Sequence, residues 1–434
     1  MSKPVGFYGW KLLAVLWLIL FTNFGFPMYG ASVINAYMAA DLHFDRTTLG
    51  IAFAIFQFMA GVPGPVIAIL ITKKGARFTL VAGCLLVLVG ALLMALYVRT
   101  SLEVFIVFGL VAGLGVMTGG TLATQSAVEQ WFARRRTMAI SMLLTGTTIG
   151  GFVASPVLDR LIRASGGNWR TGWWMVVACS IFAMVLAFFF VKERPADLGQ
   201  FPDGEIAVLV TAPAAAASQA KRGIYQTNEE WTLSEVWRSP ASWLMLVACL
   251  AFSPGFSVYL AHGVVHLKDL GYTPAQAAFS LSVMLAASLI GNLVVGAVGD
   301  HIEPRLIWAV ASLMFGAGLL FLLKAAGPAG LWVNAVLMGV GFGAYFPCIG
   351  TLPANYFGHK TYASVVGVLA AAGTISGAFG TYGAGYAYDH FGSYAPAFYG
   401  VAVLCLISFL ILIALKPPVR KGVATVPVAV SAQD

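Results

Sequence analysis

Charge is scarce in this 434-residue sequence: Asp, Glu, Lys and Arg together make up 10% of it, against about 25% in ordinary soluble domains. Apolar residues reach 59% where about 45–50% is usual, which excludes a soluble fold that would have to hide so much apolar surface. Cysteine is also sparse. Cys84, Cys179, Cys249, Cys348 and Cys405 stand apart, with no Cys-x-x-Cys pair and no His/Cys zinc spacing, so neither a disulfide framework nor a metal site is expected. A Gly-x-x-x-x-Gly-Lys-Ser/Thr phosphate loop is missing, and no Ser/His/Asp arrangement stands out in the loops. These absences argue against an enzyme, against ATP-driven work and against any cofactor.

What the sequence does contain is a series of long uncharged runs, each near or above the roughly 18–20 residues that cross a bilayer core. We place them at 10–35, 48–71, 79–98, 103–127, 137–159, 172–192, 241–266, 277–299, 306–325, 329–355, 362–387 and 396–415. The first follows Lys3 and Lys11, lacks a small-residue cleavage site and feeds directly into further spans, so it reads as a retained helix and not a signal peptide. An even number of spans puts both termini on one side. With that side cytoplasmic, 18 of the 25 Lys and Arg residues fall inside and 7 outside, as the retention of basic loops requires. The loop with Arg160, Arg163 and Arg170 dissents. The net charge of +8 thus follows from orientation in a plasma (inner) membrane, and no soluble basic domain offers a nucleic-acid surface.

One hydrophilic stretch divides the spans six and six. The sequence reads as an N-terminal six-helix half (1–193), a cytoplasmic linker (194–239), a C-terminal six-helix half (240–416) and a cytoplasmic tail (417–434). The linker's Ala-rich middle, Thr211 to Ala220, suggests a loose loop, and the Thr232/Glu235 capping-box spacing suggests a short surface helix after it. The halves are related. Gly25, Phe26 and Tyr29 match Gly255, Phe256 and Tyr259 at an offset of 230. Gly146-Thr147 and Gly150 match Gly373-Thr374 and Gly377 at 227, and Thr72 and Arg77 fall opposite Asp300 and Arg305 at 228. Parallel repeats of this kind set a solute site near the midplane between the halves, where rocking gives alternating access. Gly25 with Pro27 in span 1, and Pro254-Gly255 in span 7, interrupt helices at that depth.

The chain after span 4 reads Trp131-Phe132-Ala133-Arg134-Arg135-Arg136-Thr137-Met138-Ala139, followed by Gly146 and Gly150. This resembles the signature of the monocarboxylate transporter and oxalate/formate antiporter group of the major facilitator superfamily, with Ser141 in place of a glycine and Thr145 in place of an alanine. Gly9-Trp10 is similar to that group's motif at the start of span 1, with Val5 where an acidic residue stands. The superfamily loop motif survives in part: Gly296, Asp300 and Arg305 keep it, while His301 and Glu303 depart from it; in the first half Gly75 remains and Thr72 replaces the aspartate. The resemblance implies an all-α major facilitator fold of about twelve transmembrane helices in two halves. A carboxylate at this helix end can cap a neighbouring helix N-terminus or pair with Arg when the inner gate is shut, so Asp300 and Arg305 are expected as gating residues. The resemblance further implies an Arg in span 8 and a Lys in span 11 as carboxylate ligands, but Asn292 and Gly373 occupy those positions.

No Asp, Glu, Lys or Arg lies in the central part of any expected span, where a charge costs about 2.5–3.5 kcal/mol to insert. The titratable exceptions are His262 and His266 in the outer part of span 7, four residues apart on one face with Tyr259. Neutral polar groups remain to line a pore: Asn23, Tyr29, Gln57, Thr118, Thr121 and Gln125 in the first half, then Tyr259, Asn292, Tyr345, Asn355, Tyr382 and Tyr386. Polar side chains in lipid equally serve to join helices. The expected solute contacts are Asn23, Tyr29, Gln125, Tyr259, His262, Asn292, Tyr345 and Tyr382. The expected function is secondary or facilitative transport of a small organic solute, a carboxylate by the resemblance, with protons or a counter-substrate as partners. Membrane lipids surround the chain, and a monomer is expected. A porter or exporter of a neutral or aromatic amphiphile is the alternative.

Overall fold

The computed structural model describes residues 6–44, 46–204, 224–227, 229–323 and 327–419. Among the described residues there is no β-strand, and eleven helices are long and apolar enough to cross a membrane. Helix α1 covers Gly9–Leu42. The apolar helix Arg46–Met59 passes through a turn at residues 60–63 into the helical stretch Gly64–Leu96, which is broken at Gly75. Residues 46–74 are therefore α2 and residues 76–96 are α3, and the crossings number twelve. The others are α4 Ser101–Trp131, α5 Arg136–Ala164, α6 Arg170–Phe190, α7 Pro240–Gly263, α8 Pro274–Val298, α9 Pro304–Leu323, α10 Gly327–Phe357, α11 Tyr362–Phe391 and α12 Ala395–Ala414.

The break at Gly75 has a local cause. Its φ of 86° is open to glycine and strained for other residues, and a Cβ there would strike the Glu193 carboxylate. Glu193, just past the end of α6, accepts hydrogen bonds from the N–H groups of Ala76 (3.1 Å) and Arg77 (2.8 Å), the open donors at the start of α3. Arg77 in turn donates to the Phe188 carbonyl at the end of α6. The second half repeats this tie with Arg305, which donates to the carbonyls of Ile413 (3.3 Å) and Leu415 at the end of α12. A cation on the exposed carbonyls of a helix C-terminus is favourable, and the repeat seen in the sequence is thus also a repeat of contacts.

Among the described residues three crossings contain a π-helical turn. Gly25–Gly30 of α1, around Pro27, forms a π-helical turn; Tyr259–Gly263 does the same in α7, one turn beyond Pro254; and Phe105–Ala112 does so in α4. In α1 and α7 proline lacks the N–H that the preceding turn needs, and widening to i→i+5 bonding absorbs the mismatch; nothing in the structure explains the turn in α4. At Gly25 the helices α1 and α5 come close enough that a Cβ would meet the Gly150 backbone at 2.7 Å.

We call the end that carries residue 9, the close of α6 and the start of α7 the linker end. The buried side chains form three clusters. One lies wholly within residues 231–415 and one wholly within residues 26–179. The third belongs to the first half at the linker end but takes in Ala354, Tyr362, Ala363 and Val366 from the second, so among the described residues the cores merge there. The linker contributes to this closure. Asp203 accepts from the N–H groups of Ala133 (3.0 Å) and Arg134 (2.7 Å). Tyr225 N–H donates to Glu303 (3.0 Å), and Thr227 N–H donates to the Asn355 carbonyl (2.8 Å). The described parts of the linker are docked rather than loose, and the capping box of Thr232 and Glu235 does start a short helix, Leu233–Arg238. Thr211 to Ala220 lie outside the described residues.

Across the halves the backbones touch at glycines: a Cβ on Gly64 of α2 would meet the Gly367 carbonyl of α11 at 2.4 Å. Gly64→Ala is therefore expected to lower the thermal midpoint in detergent, by about 1–3 kcal/mol of stability. Gly50→Ala, at a site with nothing within 4 Å, serves as the control. Equal midpoints for the two variants would refute the contact.

Candidate functional site

The linker end is sealed by a buried cluster of charge. Glu129 on α4 is 1% exposed and pairs with Arg136 at the start of α5, itself only 5% exposed, at 3.3 Å. From the other half, Asn355 of α10 accepts from Arg136 Nη1 at 2.8 Å, and His359 brings its Nδ1 to the Glu129 carboxylate. One turn earlier on α4, Gln125 accepts from the Tyr362 hydroxyl of α11 at 3.2 Å. A desolvated charge must be paired and hydrogen-bonded. Here the partners come from both halves, so the pairing is complete only when this end is shut.

A second tie lies beside it. Helix α5 begins without a side-chain cap of its own. Its cap comes from the other half: Asp300, in the loop after α8, accepts from the N–H groups of Thr137 (2.9 Å) and Met138 (3.4 Å). Glycines make the approach possible, since a Cβ on Gly299 would overlap the Thr137 side chain and one on Gly296 would press on Ser141. Burial holds the Asp300 carboxyl above the usual carboxylate range despite those donors, and it raises Glu303 in the same way. Arg305 faces the α12 carbonyls and makes no bond to Asp300.

Beyond these contacts the halves part. On α11 the stripe that touches α2 at Thr374 continues through Ala378 to Tyr382, which is 74% exposed. On α2 the matching stripe runs from Gly61 back through Gln57, Ala54 and Gly50, all three exposed. The resulting interior carries no ionised side chain at its middle depth among the described residues. It is aromatic, with Phe256 stacked on Phe342 at 4.0 Å and Phe24 against Tyr29 at 6.2 Å.

The expected solute contacts occupy different settings. Asn23 is buried at the end of the regular part of α1, and neither of its amide atoms has a hydrogen-bond partner. Tyr29 is half-buried and its ring lies over Gly151 of α5. Asn292, one turn from Gly296, donates to the Ser288 carbonyl (3.2 Å) and leaves Oδ1 unbonded. The half-buried His262 places Nε2 3.0 Å from the Thr381 carbonyl, and its ring tilts on Tyr394. Tyr382 is open. Three others sit in packing: Gln125 in the seal, Tyr259 buried against Gly263, and Tyr345 stacked on Phe252 at 4.1 Å with its hydroxyl 3.3 Å from Cys249 Sγ. Asn355, grouped with the pore polars by sequence, belongs to the seal, as does Arg136 of the basic triplet. Glu129 escaped notice because the expected fourth span stopped at residue 127, short of the helix end at Trp131, and His359 because it lies beyond the tenth span, expected to stop at residue 355 and ending at Phe357. The detectable signal was a carboxylate two residues before that end, seven before Arg136.

Twelve crossings in two joined halves, sealed at one end by paired charges and parted at the other, define a membrane transporter. The model of the Major Facilitator Superfamily matches residues 15–266 and 256–431, and the chain belongs to that family. Its relatives point to the monocarboxylate transporter branch. Monocarboxylate transporter 13 of Bos taurus is 26% identical over 404 residues, covering 92% of this chain and 87% of that protein. Monocarboxylate transporter 2 of Homo sapiens is 22% identical over 388 residues, covering 84% and 76%. The Fujikurins efflux protein of Gibberella fujikuroi is 25% identical over 301 residues, covering 69% and 58%. Among solved structures, a double-Trp mutant of XylE superposes with a TM-score of 0.74 at 14% identity over 95% of this chain and 97% of that one. The fucose:proton symporter FucP of E. coli gives 0.64 at 16% over 93% and 98%. Proteins of this family carry solutes and are not enzymes.

The burial of Asp300 sets the sign of the pH dependence expected for an opening of this end. Closure buries Asp300 and raises its pKa, so the closed state binds that proton more tightly than an open, solvated end. Asp300's contribution to closure is therefore full below the ordinary carboxylate value and is lost as pH rises through the raised value. Spin labels at Lys74 and His301, at the linker end of opposite halves, should show the longer-distance population growing with pH across that window. Asp300→Asn should flatten the trend. Glu129→Gln should lengthen the distance at every pH, because removing one partner of a buried pair costs about 3–5 kcal/mol. An unchanged distance distribution in Glu129→Gln would show that the cluster does not hold the end shut.

Proposed function

We propose that the chain is a secondary transporter that moves a small organic solute, a carboxylate, across the plasma (inner) membrane by alternating access. The observation that supports this reading is the pairing of a charge-sealed linker end with an uncharged interior that parts at the other end. In this reading the linker end is cytoplasmic, as the distribution of basic residues favours. The structure then represents an outward-open state. Inward opening would separate Glu129 and Arg136 from His359 and Asn355, and would withdraw Asp300 from α5. Relatives named for monocarboxylates favour the carboxylate. With Asn292 and Gly373 at the two positions where cations are expected, the anion is held by neutral donors, at lower affinity than a bidentate Arg provides. His262 supplies an imidazole that can carry a coupled proton.

A second reading, a carrier or exporter of a neutral or aromatic amphiphile, is favoured by the aromatic interior and by a relative named as an efflux protein. Uptake into proteoliposomes of a carboxylate panel and the corresponding amides separates the two. The first reading expects saturable carboxylate uptake preferred by at least about tenfold, equivalent to about 1.4 kcal/mol; the opposite preference selects the second. If His262 carries the proton, uptake by His262→Ala loses its variation between pH 5 and 8, and a profile like that of the unmodified chain removes His262 from the coupling.

A further inference from the structure

Helix α4 is broken in mid-span. Its first part ends at Thr118, Gly119 has φ −95° and ψ 13°, and Gly120 has φ −99° and ψ −143° before a new helical segment, Thr121–Trp131, begins. The cause is close packing, since a Cβ on Gly83 of α3 would lie 2.0 Å from the Gly119 nitrogen. The first backbone bond of the new segment runs from Thr124 N–H to the Gly120 carbonyl at 3.2 Å. The N–H groups of Thr121, Leu122 and Ala123 are thus the open donors of a helix N-terminus, and Gly120 offers no side-chain cap. This end faces the interior of a membrane protein, where an unsatisfied donor is costly.

Asn23 is the second feature at this place. It is 1% exposed, neither Nδ2 nor Oδ1 has a partner, and its Nδ2 lies 3.2 Å from where a Cβ on Gly119 would stand. A buried amide left unpaired costs about 1–3 kcal/mol. The repeat sharpens the point. Ser253 stands opposite Asn23 at the offset of 230, and its hydroxyl is satisfied by the Cys249 carbonyl at 2.8 Å, while α10 runs unbroken from Gly327 to Phe357. Among the described residues, the repeat-related place in the second half has neither the helix break nor an unpartnered amide. Half-buried Thr121 and Phe24 border the spot, with the Phe24 ring 3.3 Å from a Cβ placed on Gly120.

From this geometry we infer that the Gly119–Gly120 break and Asn23 form an anion subsite that takes the carboxylate group of the solute. Backbone N–H groups at a helix start, reinforced by the peptide dipoles, hold a carboxylate without a cation. Asn23 Nδ2 adds a further donor. The inference rests on the carboxylate reading above, and it explains how an interior without Arg or Lys accommodates a negative charge: the positive pole is supplied by backbone.

The test uses the full chain purified in detergent, with benzoate and pyruvate against benzamide and pyruvamide, and binding read from thermal shift over a concentration series. The expected result is stabilisation by the carboxylates, weakened about tenfold in Asn23→Ala, as loss of one charge-assisted donor implies. In Asn23→Asp, where a second negative charge faces the first, carboxylate binding should fall by about a hundredfold or more. A midpoint without ligand within a few degrees of the unmodified chain identifies the variants as folded, and Asn23→Ala, which adds no buried charge, carries the test if the aspartate variant does not fold. Carboxylate binding of unchanged strength in Asn23→Ala overturns the subsite and leaves the carboxylate reading standing. A chain that binds the amides and no carboxylate overturns both.

Discussion

The structure turns on one buried carboxylate. Glu129 lies where water is excluded, and such a charge persists only with partners in contact. Arg136, its partner within the half, is itself buried and draws Asn355 from the other half, while His359 approaches Glu129 directly. Neither half can satisfy the cluster alone. The merging of the two cores at the linker end, the docking of linker residues 224–227 and the loan of Asp300 to the uncapped start of α5 all lie around this point. Ionic contacts of this kind are individually reversible, which suits an end that is proposed to open and close.

The middle of the protein works by the opposite rule. Where charge is absent, backbone takes over. Glycines at 25, 64, 83 and 150 remove the Cβ atoms that would keep helices apart, so that main chain packs on main chain. Proline and glycine shift α1 and α7 into π-helical turns, and α4 breaks at Gly119–Gly120. Each departure leaves polar backbone groups at a depth where lipid offers no partner, and the protein must either satisfy them internally or offer them to a solute. The same economy governs the tips of the helices, where Glu193 caps α3 and Arg77 and Arg305 serve the last carbonyls of α6 and α12.

Much of this was legible in sequence because two of its causes are local. Hydropathy over some twenty residues reports directly on bilayer thickness, and the constant offset between Gly25/Tyr29 and Gly255/Tyr259 reports on duplication, so the fold class followed. The site was less legible. A tyrosine in an apolar helix reads the same whether it faces a pore or a core, and Tyr345 proved to be stacked on Phe252 while Tyr382 stands open. Gln125 and Asn355 were recognisable as polar groups with work to do, but their partners, Tyr362 and Arg136, lie 237 and 219 residues away. Glu129 sat just beyond the expected end of a span, and Gly119-Gly120 was one of three Gly-Gly pairs in a sequence with 48 glycines.

The sequence by itself determined that this protein lives in a membrane, how many times it crosses, that it has two related halves, and that its interior lacks the charges its resemblance would supply. Those are properties of composition and spacing, which act within a helix or between aligned repeats. Tertiary structure alone decided which end is shut, that Arg305 serves α12 while Asp300 serves α5, and that Asn23 meets a helix N-terminus with its amide unpaired. The physical reason is distance along the chain. Pairing, capping and burial depend on groups from separate helices, and only the packing of those helices tells which polar side chains find partners and which are left for a solute.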